Sequence, residues 1–363
     1  MLQHYISLQK VINTFCILQF FIFIASLKFG ADPFLYFLAA CLPINIALYA
    51  YINRSRLSLV NIIITIIILM AFFVSAYLSP HPYPYKYLAI LIGLSTFILS
   101  LIFRGESAFR MLFYFTLISN VLILYTGYKY QFNPDFGNNI FIDNSRNIVS
   151  AYLIFVTIYY LLFCYILDKK ISLSILVLLF INCLILYGRT GVVLSSLLLV
   201  YGLYKRFGNI IFIGVISTLL ISLNFIYKLI IDSTNFATGI DTPRTILFKE
   251  YISGMTTEDI LFGRSIQHCC STIVAYSNNP HNSFLMGHSF YGLTHTLLFF
   301  MIFTVILWSR NLELIFFSLI IFIRYSVDSF GLFGFPDLVL FSIFTYSLYE
   351  NKQDKFYYSG EKN

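Results

Sequence analysis

Charged side chains are scarce in this sequence of 363 residues. Lys, Arg, Asp and Glu together make up 11% of the chain, where about 25% is usual in soluble proteins. Hydrophobic residues make up 59%, against about 45–50% in an ordinary globular protein. So little charge could not cover a water-facing surface, and so much apolar content is incompatible with disorder. The composition therefore excludes a soluble globular protein and indicates a protein embedded in a lipid bilayer.

Other absences exclude classes of function. The net charge is +7, yet no basic run is longer than two residues, so we predict no nucleic-acid partner. The sequence has no P-loop and no glycine-rich nucleotide fingerprint, which argues against an ATP-driven pump. No residues show metal-ligand spacing, and we predict neither a metal nor a cofactor. Four of the six cysteines lie in apolar stretches; the other two, Cys269 and Cys270, are adjacent and could bridge each other only with strain.

Twelve apolar stretches are long enough to be membrane spans of about 17–25 residues. They are centred near residues 11–27, 34–52, 58–78, 87–103, 111–127, 148–167, 171–187, 190–204, 209–231, 283–307, 313–329 and 335–349. Residues 62–70 are apolar on every side, without the alternation of a membrane barrel. The first stretch lacks a small-residue cleavage site, so we interpret it as a retained anchor. These features predict an all-α polytopic integral membrane protein with about twelve transmembrane helices.

The distribution of Lys and Arg predicts the orientation, because these residues collect in cytoplasmic loops. With the N-terminus inside, every inner loop is basic, 13 of the 23 cations are cytoplasmic, and both termini are cytoplasmic. The predicted organisation is transmembrane helices 1–9 in residues 1–231, a large periplasmic loop at 232–282, helices 10–12 at 283–349, and a cytoplasmic tail at 350–363. Within the loop, residues 244–255 have apolar side chains at helical spacing after Pro243, and we expect a short amphipathic helix along the outer membrane surface.

The remaining cations include five arginines on the predicted outer side or in a span. They are Arg146, Arg189, Arg244, Arg264 and Arg324. A guanidinium group is a planar fork that suits phosphate or carboxylate, so the group indicates an anionic substrate.

Four of these arginines also have a structural interpretation. Arg189 lies in a tight reversal, Tyr187-Gly188-Arg189-Thr190-Gly191, where it either meets a ligand or snorkels at the membrane interface. Arg244 either binds a ligand or pairs with nearby Asp241, and Arg146 could be an interfacial anchor. For Arg324 we predict an intramembrane ion pair with Asp328, which lies one helical turn away.

Three histidines follow one another at steps of seven residues. His281 ends the long loop at the water boundary, where an imidazole can take up a proton near neutral pH, and it is the best general-base candidate. His288 and His295 would continue along one face of a straight helix, about 10 Å and 21 Å from His281. We interpret these two as buried residues held by neighbouring helices.

The order of these motifs resembles that of a known superfamily. Gly-Arg-Thr-Gly at 188–191, an arginine opening a loop helix at Arg244, Leu-Phe-Gly at 261–263 and His281-Asn282 occur in sequence on one predicted side of the membrane. This pattern resembles the O-antigen polymerase (Wzy) and O-antigen ligase (WaaL) superfamily. The ligase-type pattern, His-Asn followed after nine residues by Gly-x-x-Gly, is met at Gly292 but has His295 in place of its last glycine, which favours the polymerase.

The resemblance implies a GT-C-like, metal-independent glycosyltransferase at the periplasmic face of the bacterial inner membrane. Its donor and acceptor would be undecaprenyl-diphosphate-linked oligosaccharides, and a chain-length regulator and a flippase of the same pathway would be possible partners. By resemblance, Arg189 and Arg244 bind the donor diphosphate and stabilise its departure, and His281 activates the acceptor hydroxyl. The residues expected to extend the substrate site are Arg146, Arg264, Asn282 and Tyr187.

Two other functions remain open. A ligase would use the same chemistry to transfer finished glycan to lipid A-core. A transporter or flippase of lipid-linked oligosaccharide would use the arginines only to bind a passing anion. Transporters have charged interior paths and related halves, whereas intramembrane charge is sparse in this sequence and the candidate residues gather on one side, which favours an enzyme.

Overall fold

The structure is a computed structural model that describes residues 2–30, 32–53, 59–82, 85–133, 135–142, 145–209, 214, 243–276, 278–331 and 333–350. Over these residues the chain is helical and contains no β-strand. The prediction of helices, made from stretches that are apolar on every side, is confirmed for this part of the chain.

The helices, numbered in chain order, have the following bounds. They are α1 Leu2–Phe29, α2 Asp32–Ala40, α3 Leu42–Ile52, α4 Leu59–Leu78, α5 Lys86–Ile102, α6 Gly105–Lys129, α7 Arg146–Ile166, α8 Leu173–Ile185, α9 Arg189–Phe207, α10 Pro243–Ile252, α11 Thr257–Phe262, α12 Ile266–Cys269, α13 Ser271–Ala275, α14 Ser283–Trp308, α15 Leu312–Val327 and α16 Asp337–Glu350. A 3-10 turn at Phe136–Asn139 precedes α7.

Five of the helical segments are long and apolar enough to cross a membrane by length and composition alone, although the last of them is interrupted at Gly292. They are Leu8–Phe29, Asp32–Ile52, Gly105–Lys129, Arg146–Ile166 and Ser283–Trp308. Shorter apolar helices occupy Ile62–Leu78, Lys86–Ile102, Leu173–Ile185 and Asp337–Tyr349. The helical membrane-protein character is therefore supported, whereas the total of twelve spans stays a prediction. The predicted ninth span at 209–231, apart from residues 209 and 214, lies outside the described residues, as do Asp241 and the tail from residue 351.

The chain divides into two compact units. The first comprises Met1–Ser26, Ala31–Ala108 and Pro243–Asn363, and the second comprises Leu27–Gly30 and Phe109–Thr242. In the first unit α5 is central and packs against α2, α3, α4 and α16. In the second unit α7 is buried on all sides, as expected of a helix that is apolar all round, and it packs against α8, α9 and the 3-10 turn.

Buried amides join helices within each unit. In the first unit the Gln19 and Asn45 side chains exchange two hydrogen bonds of 3.1 Å, and Asn45 also donates to the Ser95 hydroxyl at 2.9 Å. In the second unit the Asn182 side chain donates to both oxygens of Asn120. Because lipid tails are as apolar as the helix surfaces, the hydrophobic effect does not drive helices together in a membrane, and hydrogen bonds between side chains help to stabilise their contacts.

The loop before α14 contains four short helices, α10 to α13. Leu247 and Tyr251 on one side of α10 pack into a core with Ile266, Ile273 and Leu285. The predicted helix at 244–255 is therefore confirmed as a helix, ending at Ile252. Cys269 and Cys270 are joined in a disulfide at the junction of α12 and α13. The loop thus packs around a small hydrophobic core that includes Leu285 of α14, and α10 contributes Leu247 and Tyr251 to this core.

Helix α14 is broken at Gly292, which has φ 53° and ψ −139°, a conformation open essentially to glycine alone. The two halves fold against each other, so the rings of Phe284 and Phe299 are 4.5 Å apart, although fifteen residues of straight helix would span about 22 Å. The His295 ring lies directly against Gly287. The predicted straight stripe of histidines is therefore wrong, because His295 turns back at the break instead of continuing along the helix.

Candidate functional site

Arg244, near the start of α10, is held by a buried carboxylate. Its guanidinium Nη2 lies 3.4 Å from Asp328 Oδ1, and the other oxygen of Asp328 lies 3.0 Å from Arg324 Nη2. Asp328 and Arg324 are buried, whereas Arg244 is partly exposed. The ion pair predicted between Arg324 and Asp328 is confirmed. Asp328 thus joins a buried arginine to one whose side chain is 30% exposed.

His281 lies beside this ion pair and is fixed through its backbone. Its N–H donates to Asn279 Oδ1 at 2.8 Å, and the Ser329 hydroxyl donates to the same oxygen at 2.8 Å. Its ring meets the Tyr276 ring edge-on at 5.9 Å. The residue has a left-handed φ of 48°, which is uncommon for non-glycine residues and often occurs at functional positions.

Asn282 acts mainly as a helix cap. Its Oδ1 accepts hydrogen bonds from the backbone N–H groups of Phe284 and Leu285, and its Nδ2 donates to the Ser326 carbonyl. An asparagine in this position satisfies donors that would otherwise have no partner at the helix start. The residue predicted to bind substrate therefore has a direct role in fixing the turn that carries His281.

The surroundings of His281 favour its neutral form. Burial lowers the pKa of the imidazole below its ordinary value of 6.5, the positive charge of Arg244 lowers it further, and the Asp328 carboxylate partly opposes them. A neutral imidazole has a lone pair available at neutral pH. The ring can therefore accept a proton, as general-base catalysis requires.

Arg146 and Arg189 belong to the second unit, where they are the first residues of α7 and α9. The first turns of these helices touch: a Cβ on Gly188 would lie 3.1 Å from Asn147 Oδ1, and one on Gly191 would lie 3.0 Å from Ser150. The absence of side chains at the two glycines allows this close approach. Two arginines thus open two adjoining helices.

The 3-10 turn adds a third segment to this arrangement. A Cβ on Gly137 would lie 2.7 Å from Arg146 Cβ and 2.9 Å from Leu186 Cδ2. The Arg146 backbone N–H donates to Asn138 Oδ1 at 3.0 Å. Next to Leu186, the partly buried Tyr187 adopts a left-handed φ of 54°, so the reversal before Arg189 contains a rare backbone conformation, as the turn at His281 does.

Arg264 is engaged by the loop itself. Its Nη1 donates to the carbonyls of Tyr251 at 2.6 Å and Ser253 at 2.7 Å, and its Nε lies 3.7 Å from Asp259 Oδ2. These bonds satisfy carbonyls at the end of α10, where cations are favourable. The geometry assigns Arg264 a structural role, and we do not include it among the proposed ligand contacts.

The three other arginines share an unusual location. Arg146, Arg189 and Arg244 each lie within the first two residues of a helix. A helix N-terminus carries partial positive charge and favours anions, so a cation there is unfavourable by about 0.3–1 kcal/mol. Backbone N–H groups and guanidinium groups together form a surface suited to phosphate oxygens.

The sequence does not indicate the contact of Asp328 with Arg244 or the role of Gly137. The sequence offers Asp241 as a nearby partner for Arg244, whereas the partner in the structure, Asp328, lies 84 residues along the chain. Gly137 was not singled out, since a glycine within a loop gives no sign of what approaches it. A lone carboxylate at the end of an apolar stretch was the available signal for Asp328.

Among the described residues, no three His, Cys, Asp or Glu side chains come together as a metal site would require. No protein-family model matches the chain, and neither a curated protein nor a solved structure is significantly similar to it. The resemblance to the polymerase and ligase superfamily stays a prediction from the motifs quoted above.

Proposed function

We propose that this protein is a membrane-embedded glycosyltransferase that polymerises lipid-linked oligosaccharide repeat units, as an O-antigen polymerase does. It transfers the growing glycan from undecaprenyl diphosphate to the sugar of a newly delivered lipid-linked unit at the periplasmic face. The observation that carries the proposal is that the charge of Arg244, which is held by Asp328, acts on the neighbouring imidazole of His281. A cation held by a buried carboxylate thus influences an imidazole whose pKa lies below its ordinary value, in a chain with several apolar helices.

The chemistry requires one bond to form as another breaks. The acceptor hydroxyl oxygen attacks the anomeric carbon of the donor sugar, and the bond from that carbon to the diphosphate oxygen breaks. His281 takes the hydroxyl proton, and Arg244 stabilises the negative charge that develops on the departing diphosphate. The diphosphate leaves as an anion still attached to its polyprenyl chain.

Arg189 and Arg146 are proposed to bind diphosphate oxygens of the lipid-linked substrate. Their support is the contact between the first turns of α7 and α9, each of which begins with an arginine at a helix N-terminus, where anions are favoured. Tyr187 and Asn282 are proposed as residues that hold the turns carrying Arg189 and His281.

A transporter of lipid-linked oligosaccharide is a second candidate, and one observation favours it. Helices broken within the membrane region often form the substrate sites of transporters, and α14 is broken at Gly292. Purified protein in vesicles separates the two functions: a transferase lengthens a defined lipid-linked repeat unit, and a transporter moves it across the bilayer without changing its length.

Loss of the protein from its own strain tests the polymerase assignment against the ligase. We expect lipid A-core capped by a single repeat unit, because ligation continues without polymerisation. Bare core with accumulated lipid-linked polymer would instead identify a ligase.

Alanine variants test the residues. His281→Ala, Arg189→Ala and Arg244→Ala should each abolish long glycan chains while the protein still inserts into membranes. Lys249→Ala is the matched control, since Lys249 is an exposed cation on the same helix as Arg244. Normal ladders from all three site variants would overturn the assigned roles.

A further inference from the structure

The end of α11 exposes three consecutive large apolar side chains. Ile260, Leu261 and Phe262 are 46%, 41% and 36% exposed, and we call them the α11 tip. Single exposed apolar residues are common in proteins and require no explanation, but a contiguous exposed apolar group marks an interaction surface. The tip includes two residues of the Leu-Phe-Gly motif, for which the proposed catalytic chemistry has no use.

The backbone of this tip is held tightly from the inside. His288 Nε2 lies 3.2 Å from the Ile260 carbonyl oxygen, which can only accept a hydrogen bond. A Cβ on Gly292 would collide with the Leu261 carbonyl, and a Cβ on Gly263 would collide with the His288 carbonyl. Gly263 also has φ 91°, a conformation that favours glycine. The first half of α14 therefore contacts the backbone of the α11 tip, and the side chains of the tip remain exposed.

The start of α11 is fixed as well. Thr256 and Asp259 form a capping box, in which each side chain accepts a hydrogen bond from the backbone N–H of the other residue. A short helix anchored at both ends presents its apolar side chains in one orientation. The apolar side chains of the α11 tip are therefore held in a fixed position relative to α14.

The neighbouring surface indicates what covers the tip. Helix α11 packs against α4 as well as α14, and α4 is an apolar helix of 20 residues. Near the C-terminal end of α4, Val74, Tyr77 and Leu78 are 51%, 79% and 47% exposed. Exposed apolar residues on such a helix face lipid, and tyrosine is frequent at the lipid–water interface. The tip lies on helices whose own free surface is suited to the bilayer.

We propose that the α11 tip inserts into the lipid bilayer beside α4 and anchors the loop to the membrane surface. The occupant of this apolar surface is lipid and not a second protein. No charged side chain interrupts residues 260–262, and α11 packs against α4, an apolar helix with exposed apolar residues near its C-terminal end. The inference concerns the loop alone and does not depend on the proposed transferase activity.

The chain contains one tryptophan, which makes a fluorescence test practical. In a Trp308→Phe background, Phe262→Trp places a reporter in the tip, and Gln267→Trp places a matched reporter at an exposed polar position on α12. The full-length variants are reconstituted into phosphatidylcholine vesicles with and without brominated acyl chains. We expect Phe262→Trp to emit at shorter wavelength and to lose fluorescence in brominated lipid, and Gln267→Trp to be quenched by aqueous iodide instead.

Two results would overturn the proposal. One is a Phe262→Trp reporter that responds to iodide as Gln267→Trp does and ignores bromination. The other is protection from both quenchers that grows with the ratio of protein to lipid, which would identify a second copy of the chain on the tip. Leu261→Trp serves as the tip reporter if Phe262→Trp does not give monodisperse protein.

Discussion

The two arginine sites are positioned by different forces. In the first unit, Arg244 is held by charge, because Asp328 lies between it and buried Arg324. In the second unit, Arg146 and Arg189 are positioned by close packing, because Gly137 and Gly188 let three segments approach. One site is thus expected to respond to changes of charge and pH, and the other to changes of volume. The following experiments test that distinction.

Removal of the central carboxylate should have the largest effect. Asp328→Leu leaves the Arg324 guanidinium buried without this counter-ion, which typically costs about 3–5 kcal/mol of unfolding free energy. Thermal unfolding of the purified protein in detergent measures the loss. The double variant Arg324→Leu with Asp328→Leu removes both charges and should recover most of the stability. A double variant as unstable as the single one would show that charge is not what matters at this site.

A methyl group in the second unit should have the next largest effect. Gly137→Ala brings a Cβ within 2.7 Å of Arg146 Cβ and 2.9 Å of Leu186 Cδ2, and overpacking of this kind costs about 1–3 kcal/mol. Thermal unfolding should detect this loss of stability, although the substitution does not change the charge of the protein. Asn139→Ala, at an exposed position of the same turn, is the control and should leave stability unchanged. Equal stability of the two variants would contradict the packing argument.

Loss of the cap beside His281 should have a smaller effect. Asn282→Ala removes the oxygen that accepts from the Phe284 and Leu285 N–H groups, and loss of a cap costs about 0.5–2 kcal/mol. Asn282→Asp retains an accepting oxygen and should remain closer to the native protein. If alanine and aspartate destabilise equally, the cap does not fix this turn.

The smallest expected effect is a shift in the titration of His281. Arg244→Gln removes a charge that lowers its pKa, so the pKa rises towards the ordinary value of 6.5. The pH profile of modification by diethyl pyrocarbonate, which attacks neutral imidazole, should therefore move to higher pH, with His281→Asn as the blank. Lys249→Gln makes the same change of charge elsewhere on α10 and should move the profile less.

The lowered pKa of His281 also makes the stability of the folded protein depend on pH. Because the folded protein lowers the pKa of His281, the unfolded chain binds the proton first, and this group's contribution to stability falls as pH drops through 6.5. Removing Arg244 should weaken that dependence. An unchanged modification profile in Arg244→Gln would show that the two side chains are not coupled.

Local pattern was enough to predict much of this fold. Stretches apolar on every side predicted helices, Pro243 predicted the start of α10, and spacing by four residues predicted the Arg324 to Asp328 pair, because each of these is decided within a few residues. The partner of Arg244 could not be predicted in the same way, since it is 84 residues distant and the contact depends on tertiary structure that brings Arg244 close to Asp328.

The break in α14 was missed for a related reason. Residues 283–308 have the length and hydropathy of a straight span, and isolated glycines such as Gly287 and Gly292 are compatible with a regular helix. The break in α14 depends on tertiary contacts: Gly292 lies against the Leu261 carbonyl, and the His295 ring lies against Gly287. Periodicity describes only one helix and contains no information about a loop that packs against it.

The contact between Gly263 and the first half of α14 also has a consequence for engineering. The loop and the half-helix are in close contact through their backbones, and they form one module although Gly263 and His288 are about 25 residues apart in the sequence. A graft that exchanged the loop alone would introduce a foreign backbone where only glycine fits, and it should fail to assemble. Chimeras designed to move substrate specificity between proteins of this architecture should therefore be joined after residue 292, so that both halves of the contact come from one parent.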